Sequence, residues 1–301
     1  MRKLLYRYGI ALIALQSCSQ ALESMESVTP ISWVTPAVVA GNTTYQTFFS
    51  QSAKATVSYH VLLPDEYAQD PAREFTVLYW LHGSGGGNVG IPILADYFLK
   101  AMREEKIEPM IIVFPNGLPY GMWCNSKDGR QPVEDMFIRD LIPHIDTRYR
   151  TNASREGRIL EGFSMGGFGA MRLGIKYSAM FRAISSLAGG PFQETFTDVA
   201  EQNENLRIKV FQEVFSNDME YFIEQSPRTQ VIRYGSQLPP SLRIRQIIGT
   251  ADFSYSHNRH FRDFLELKDI SFQYHEFQNV GHAVIPLFDQ LGNSLWGFYA
   301  P

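Results

Sequence analysis

Cysteine is nearly absent: Cys18 and Cys124 are the two in 301 residues. That excludes a disulfide framework as the source of stability and leaves the fold to a hydrophobic core. Basic charge is also short. Lysine and arginine number 27 against 31 acidic residues, a formal net charge of -4, and the basic residues are scattered rather than striped among aromatics. A groove that tracks a nucleic-acid backbone is therefore not expected. No long repeat marks a solenoid. No His, Cys, Asp and Glu group has metal-site spacing, and the glycines from Gly83 to Gly90 lack the Lys-Ser or Lys-Thr ending of a phosphate-binding loop. Neither metal nor nucleotide cofactor is expected. The apolar run from Gly9 to Leu15 is too short to cross a bilayer.

That run has Arg2, Lys3 and Arg7 before it and Gln16-Ser17-Cys18 after it. A basic stretch followed by a short apolar core reads as an export signal over residues 1–17. Ala14-Leu15-Gln16-Ser17-Cys18 also resembles a bacterial lipoprotein signal, in which Cys18 becomes the lipidated first residue and tethers the chain to a membrane. Gln16 fits that pattern poorly, and ordinary cleavage nearby is the competing outcome. The expected compartment is periplasmic, lipid-anchored or extracellular rather than cytoplasmic. Residues 18–42, rich in prolines and small polar residues, read as an irregular lead-in or tether, and 43–301 as a single domain.

What the chain does have is apolar residues, at 45%, enough for one large core. Thr43–Ser50 and Ala55–Leu63 alternate as strands that could pair as an antiparallel edge. Phe75–Leu81 and Met110–Phe114 are almost continuously apolar, as strands buried on both faces are, and Arg158–Gly162, Phe181–Ala188 and Leu242–Ile248 read as the strands that follow. Helical stretches at Ile93–Arg103, Pro132–Tyr149, Phe168–Ile175 and Asn258–Leu267 separate them. A last strand is expected at Ile270–Phe277 and a closing helix at Ile285–Tyr299. The class is α/β, a mostly parallel sheet between helices with an antiparallel addition at the start. Phe192–Pro240 is less orderly and reads as helices and loops over one end of the sheet.

Chemistry concentrates at Gly162-Phe-Ser-Met-Gly166, a G-x-S-x-G pattern between a strand and a helix. Its glycines permit a turn tight enough to hold Ser164 above the C-terminal edge of the sheet. A serine hydroxyl needs a base to become a nucleophile, and His282, after a strand and the turn Asn279-Val-Gly281, is the best candidate. His60, His144, His257, His260 and His275 lie in ordinary strand or helix patches and read as structural or solvent-facing. Asp252, just past the Leu242–Ile248 strand, is the acid expected to orient the histidine. For the developing oxyanion the donors expected are the backbone N–H groups of Met165 and Ser84, with Gly83 or Gly85 as substitutes for Ser84. His82 reads as orienting that loop beside the substrate. Trp123 and Tyr120, on the loop after the Met110–Phe114 strand, are candidate walls of an acyl pocket, with pinning of the loop to the core as the competing role. Glu134 and Asp135 read as favourable charge at a helix start behind Pro132.

The His82-Gly83 loop, the Gly-Phe-Ser-Met-Gly-Gly elbow, Gly249-Thr-Ala-Asp252 and Gly281-His282 together resemble the esterase D family of α/β-hydrolases. That family is similar to feruloyl and acetyl-xylan esterases, S-formylglutathione hydrolases and enterochelin esterases, and the resemblance runs from about Ala55 to Tyr299. It implies an α/β-hydrolase fold, a Ser164–Asp252–His282 triad and hydrolysis of a small acyl or carbohydrate-linked ester through an acyl-enzyme. Acyl transfer to a sugar or lipid acceptor by the same triad, and a non-catalytic envelope-associated binding protein, are the alternatives. Many relatives carry an aromatic soon after the last histidine, where this chain has Ala283-Val-Ile-Pro286, so the substrate wall is not carried over. Oligomeric state is not legible.

Overall fold

Eight strands form one sheet in a computed structural model that describes residues 31–192, 194, 196 and 204–300. The export signal over 1–17 and Cys18 lie outside the described residues. The strands are β1 Thr43–Ser50, β2 Ala55–Leu62, β3 Thr76–Leu81, β4 Met110–Pro115, β5 Arg158–Phe163, β6 Ala183–Leu187, β7 Arg243–Gly249 and β8 Gln273–Phe277. Their order across the sheet is β1-β2-β4-β3-β5-β6-β7-β8. β1 pairs antiparallel with β2 and β2 antiparallel with β4, while the other neighbours run parallel. This is the α/β-hydrolase fold with the expected antiparallel start. β4 is buried at every position because helices cover both faces of the parallel strands.

The alternation along β3 shows the two faces. Leu78 and Trp80 enter a core with Phe98, Phe288 and Leu295, and Tyr79 meets Phe137 on the other side at 5.6 Å between ring centroids. The described α-helices of five or more residues are α1 Ile91–Arg103, α2 Ile142–Arg148, α3 Met165–Lys176, α4 Glu204–Glu213, α5 Met219–Gln225, α6 Pro227–Tyr234, α7 Tyr255–Leu267, α8 Val284–Leu291 and α9 Asn293–Gly297. Three departures from the sequence reading have local causes. The Pro132–Tyr149 helix contains a π segment at Met136–Leu141 before α2. The closing helix is two, because Gly292 sits at φ 53° between α8 and α9. The unassigned α6 starts where Ser226 Oγ accepts from the Thr229 N–H at 3.2 Å and Pro227 occupies the first turn, a Ser-Pro start that was present in the sequence.

Trp33–Pro301 forms one compact unit. Trp33 is buried and its carbonyl accepts from Ser58 N–H and Asn116 Nδ2. Residues from Trp33 onward, the last part of the stretch expected as an irregular lead-in or tether, belong to this unit.

A buried ion pair joins the central strands. Arg245 on β7 donates to Glu161 on β5 at 2.8 Å, with both side chains fully buried. Tyr299 OH donates to the other Glu161 oxygen at 2.6 Å, and Arg245 also reaches Ser185 Oγ and the Leu295 carbonyl. The pair thus spans β5, β6 and β7 and holds down the C-terminal helix.

Candidate active site

Ser164 follows β5 at φ 58° and ψ -120°, a conformation that costs a non-glycine residue about 1–3 kcal/mol. Its neighbours explain how the turn closes. A Cβ on Gly162 would lie 2.3 Å from the Gly166 carbonyl oxygen, and one on Gly166 would lie 1.9 Å from that of Leu81. Only glycine at both lets α3 leave β5 so steeply beside β3. Ser164 N–H donates to Leu187 O at 2.9 Å, and the Ser164 carbonyl accepts from Phe168 and Gly190. The elbow is thereby tied to β6 as well as to its own helix.

His282 and Asp252 come from the adjoining strand ends. Thr250 N–H donates to Phe277 O and Ala251 N–H to Val280 O, while Asn279 N–H donates to Thr250 Oγ1. These bonds stitch the loop after β7 to the loop after β8. His282 Nδ1 lies 2.7 Å from Asp252 Oδ2, and with the carboxylate accepting, Nε2 is left as the acceptor nitrogen. Phe163 and Phe253 flank the imidazole, each with its ring centroid 4.5 Å away. Asp252 Oδ1 accepts from both Ser254 N–H and Ser254 Oγ at 2.8 Å. Burial would raise the Asp252 carboxyl, but the His282 and Ser254 bonds outweigh it and hold it below its ordinary range. Asn258 Nδ2 in turn donates to Ser254 O and Gly189 O, and its Oδ1 accepts from Gln246. A buried amide chain therefore joins the Asp252 loop to the loop beside Ser164.

Ser164, Met165, His282, Gly83 and Ser84 line one cavity of about 380 Å³. A Cβ on Gly83 would stand 3.2 Å from Ser164 Cβ, so the loop after β3 abuts the serine. Met165 N–H opens α3, where the first amides have no intrahelical acceptor. Gly85 is excluded as a substitute donor in this conformation, since its N–H donates to Pro119 O at 2.7 Å.

None of the three residues expected on the substrate side, His82, Trp123 and Tyr120, is in the described lining of this cavity. His82 is buried away from the cavity: its Nδ1–H donates to Gly83 O at 2.8 Å and its Nε2 accepts from Gly117 N–H at 3.1 Å. Burial pushes it down to about 4, so it is a neutral strut that fixes the Gly83 loop. Trp123 is fully buried, donates from Nε1 to His82 O at 3.1 Å and packs on Gly117 and Gly169. It pins the loop; Met122, its neighbour, is the cavity residue. Tyr120 is half-buried outside the lining, with Lys209 Nζ 5.8 Å from its ring. His257, read as structural or solvent-facing, lines the cavity. The sequence reading also missed Phe253 and the wall built from Phe192, Phe196, Leu206, Arg207 and Val210. Leu206 and Val210, one helical turn apart, were the available signal.

Glu134 does more than favour a helix start. It is buried against Arg172 and Lys176 on α3 and accepts from Tyr177 OH. Burial alone would raise its carboxyl, but these partners hold it at about 2. Among the described residues no group of three or more His, Cys, Asp and Glu converges as a metal site, and no helix is long and apolar enough to cross a membrane.

A family model described as "Putative esterase" matches residues 50–267, which takes in Ser164 and Asp252. The chain belongs to the putative esterase family. An esterase of Mycobacterium tuberculosis is 38% identical over 133 residues, 43% of this chain and 28% of that protein. This chain thus spans less than a third of the length of the first such relatives. An acetyl esterase of Caldicellulosiruptor saccharolyticus is 22% identical over 245 residues, 78% of this chain and 90% of that protein. Among solved structures, a ferulic acid esterase superposes with a TM-score of 0.67 at 22% identity, covering 85% of this chain and 97% of that one. A fluorophosphonate-binding serine hydrolase of Staphylococcus aureus reaches 0.71 at 16% identity, over 87% and 99% of the two chains. Likeness at these structural identities carries the fold of this putative esterase family member.

Proposed function

We propose that the protein is a serine carboxylic-ester hydrolase that works through an acyl-enzyme. The observation that carries the reading is one cavity lined both by Ser164, on its strained elbow, and by His282, which is bonded to Asp252. His282 Nε2 takes the Ser164 proton as the hydroxyl oxygen attacks the ester carbonyl. The Met165 and Ser84 amides receive the developing oxyanion, with Gly83 the alternative to Ser84. The imidazolium, stabilised by Asp252, then gives its proton to the departing alcohol. Water repeats the sequence to release the acid and restore Ser164.

The substrate class is a small acyl or carbohydrate-linked ester of the feruloyl or acetyl kind. Family membership supports it, together with the relatives named acetyl esterase and feruloyl esterase, as does an apolar cavity with Met122, Phe192 and Phe253 in its wall. The test is hydrolysis of p-nitrophenyl acyl esters, feruloyl esters and acetylated xylan by wild type and Ser164→Ala. Loss of at least about a thousandfold in kcat/KM is expected, and product release that survives the substitution defeats the mechanism. Export, with either lipidation at Cys18 or ordinary cleavage nearby, is part of the same proposal. The mass of the mature N-terminus from the native host tests it, and a mature chain beginning at Met1 defeats it.

A further inference from the structure

The cavity beside Ser164 has one feature that hydrolysis of a neutral ester does not use. Its described lining contains no aspartate or glutamate, yet Arg207 lies in it among Phe192, Phe196, Leu206 and Val210. Arg207 sits on the first turns of α4, and its side chain as a whole is 23% exposed. Its ion-pair neighbour Glu204 stands at 3.6 Å, beyond hydrogen-bond length, and is itself 67% exposed. Such a pair contributes little. An arginine in the wall of an apolar chamber whose ion-pair partner among the described residues is this weak can accept a carboxylate through two parallel N–H bonds.

We infer that Arg207 forms an anion subsite, and that the preferred substrate is an ester bearing a carboxylate separated from the scissile carbonyl by an apolar spacer. This rests on the esterase reading above. The chamber between Ser164 and Arg207 is walled by carbon-rich side chains, Met122, Phe253 and Phe192 among them, which suits the spacer. The carboxylate at its far end meets the guanidinium. The chemistry is the same whether the carboxylate is carried on the acyl part or on the alcohol part of the ester, and the two are separable by experiment.

In the acyl arm, kcat/KM is measured for mono-p-nitrophenyl glutarate and for p-nitrophenyl valerate, its neutral counterpart. In the alcohol arm, the butyrate ester of 3-hydroxybenzoic acid is compared with phenyl butyrate. Each result is the ratio of anionic to neutral ester on one preparation, so it does not depend on the fraction of folded enzyme. In at least one arm Arg207→Gln is expected to lower the ratio about tenfold, the size of one charge-assisted contact, and Arg207→Lys to keep most of it. A fall of less than about threefold in both arms for Arg207→Gln, or an equal fall for Arg207→Lys, overturns the subsite. Wild-type protein that hydrolyses none of the four esters, or does so equally as Ser164→Ala, defeats the esterase reading instead.

Discussion

Ser254 donates twice to one oxygen of Asp252 while His282 holds the other, so the carboxylate is stabilised in its charged form. Ser254→Ala removes the hydroxyl donor and is expected to lower stability at neutral pH by about 1–2 kcal/mol and kcat/KM several-fold. Because the native carboxyl is depressed, its contribution is present above the ordinary aspartate range and is lost as pH falls through the native value. The gap between wild type and variant in urea unfolding should therefore narrow at acid pH. His82 has the opposite chemistry and loses stability in a different window. It is buried neutral at about 4 against an ordinary 6.5, so the unfolded chain takes up a proton first. Its contribution is complete above about pH 6.5 and declines as pH falls towards 4, by on the order of 3 kcal/mol. Unfolding free energy should fall less over that window in His82→Asn than in wild type. The placement of Ser164, Asp252 and His282 at one sheet edge was legible because each follows a recognisable strand. Trp123 and Tyr120 were not, because topology brings a loop to an edge without saying which side chains turn inward. Consecutive positive φ values of 50° at Met122 and Trp123 decide that here, sending Trp123 to the core and leaving Met122 in the cavity.

At the scale of elements, the buried parallel strands were the most legible because unbroken apolar runs such as Met110–Pro115 leave few alternatives. The elbow was equally plain, since strand, glycine-flanked serine and helix are contiguous. The described part of the 192–240 segment from Glu204 onward was legible as helices but not as the cavity wall, because which face of α4 meets the sheet edge is settled by distant packing. The charged side chains on central strands were also silent in sequence: Glu161 on β5 reads as an interruption of an apolar run until Arg245 arrives from β7. Removing one member of that pair leaves the other buried and unpaired, so Arg245→Met is expected to cost about 3–5 kcal/mol. Chemical denaturation reads this directly, and a loss below about 1 kcal/mol would mean that water replaces the lost partner.

For the whole molecule, the sheet places loops from β3, β5, β7 and β8 around one cavity. The buried pair across β5 to β7 and the amide chain through Asn258 keep those loops in register. The α4 wall adds Leu206, Arg207 and Val210 to the cavity beside residues from the sheet-edge loops, so changes there are expected to alter specificity without displacing the serine. The most direct measurement is trapping of the acyl-enzyme with a slowly deacylating p-nitrophenyl ester, followed by intact-mass and peptide-mass analysis. One acyl group per chain, on the Ser164 peptide and absent from Ser164→Ala, is the expected result. An acyl group on another residue, or full turnover of the ester by Ser164→Ala, would contradict it.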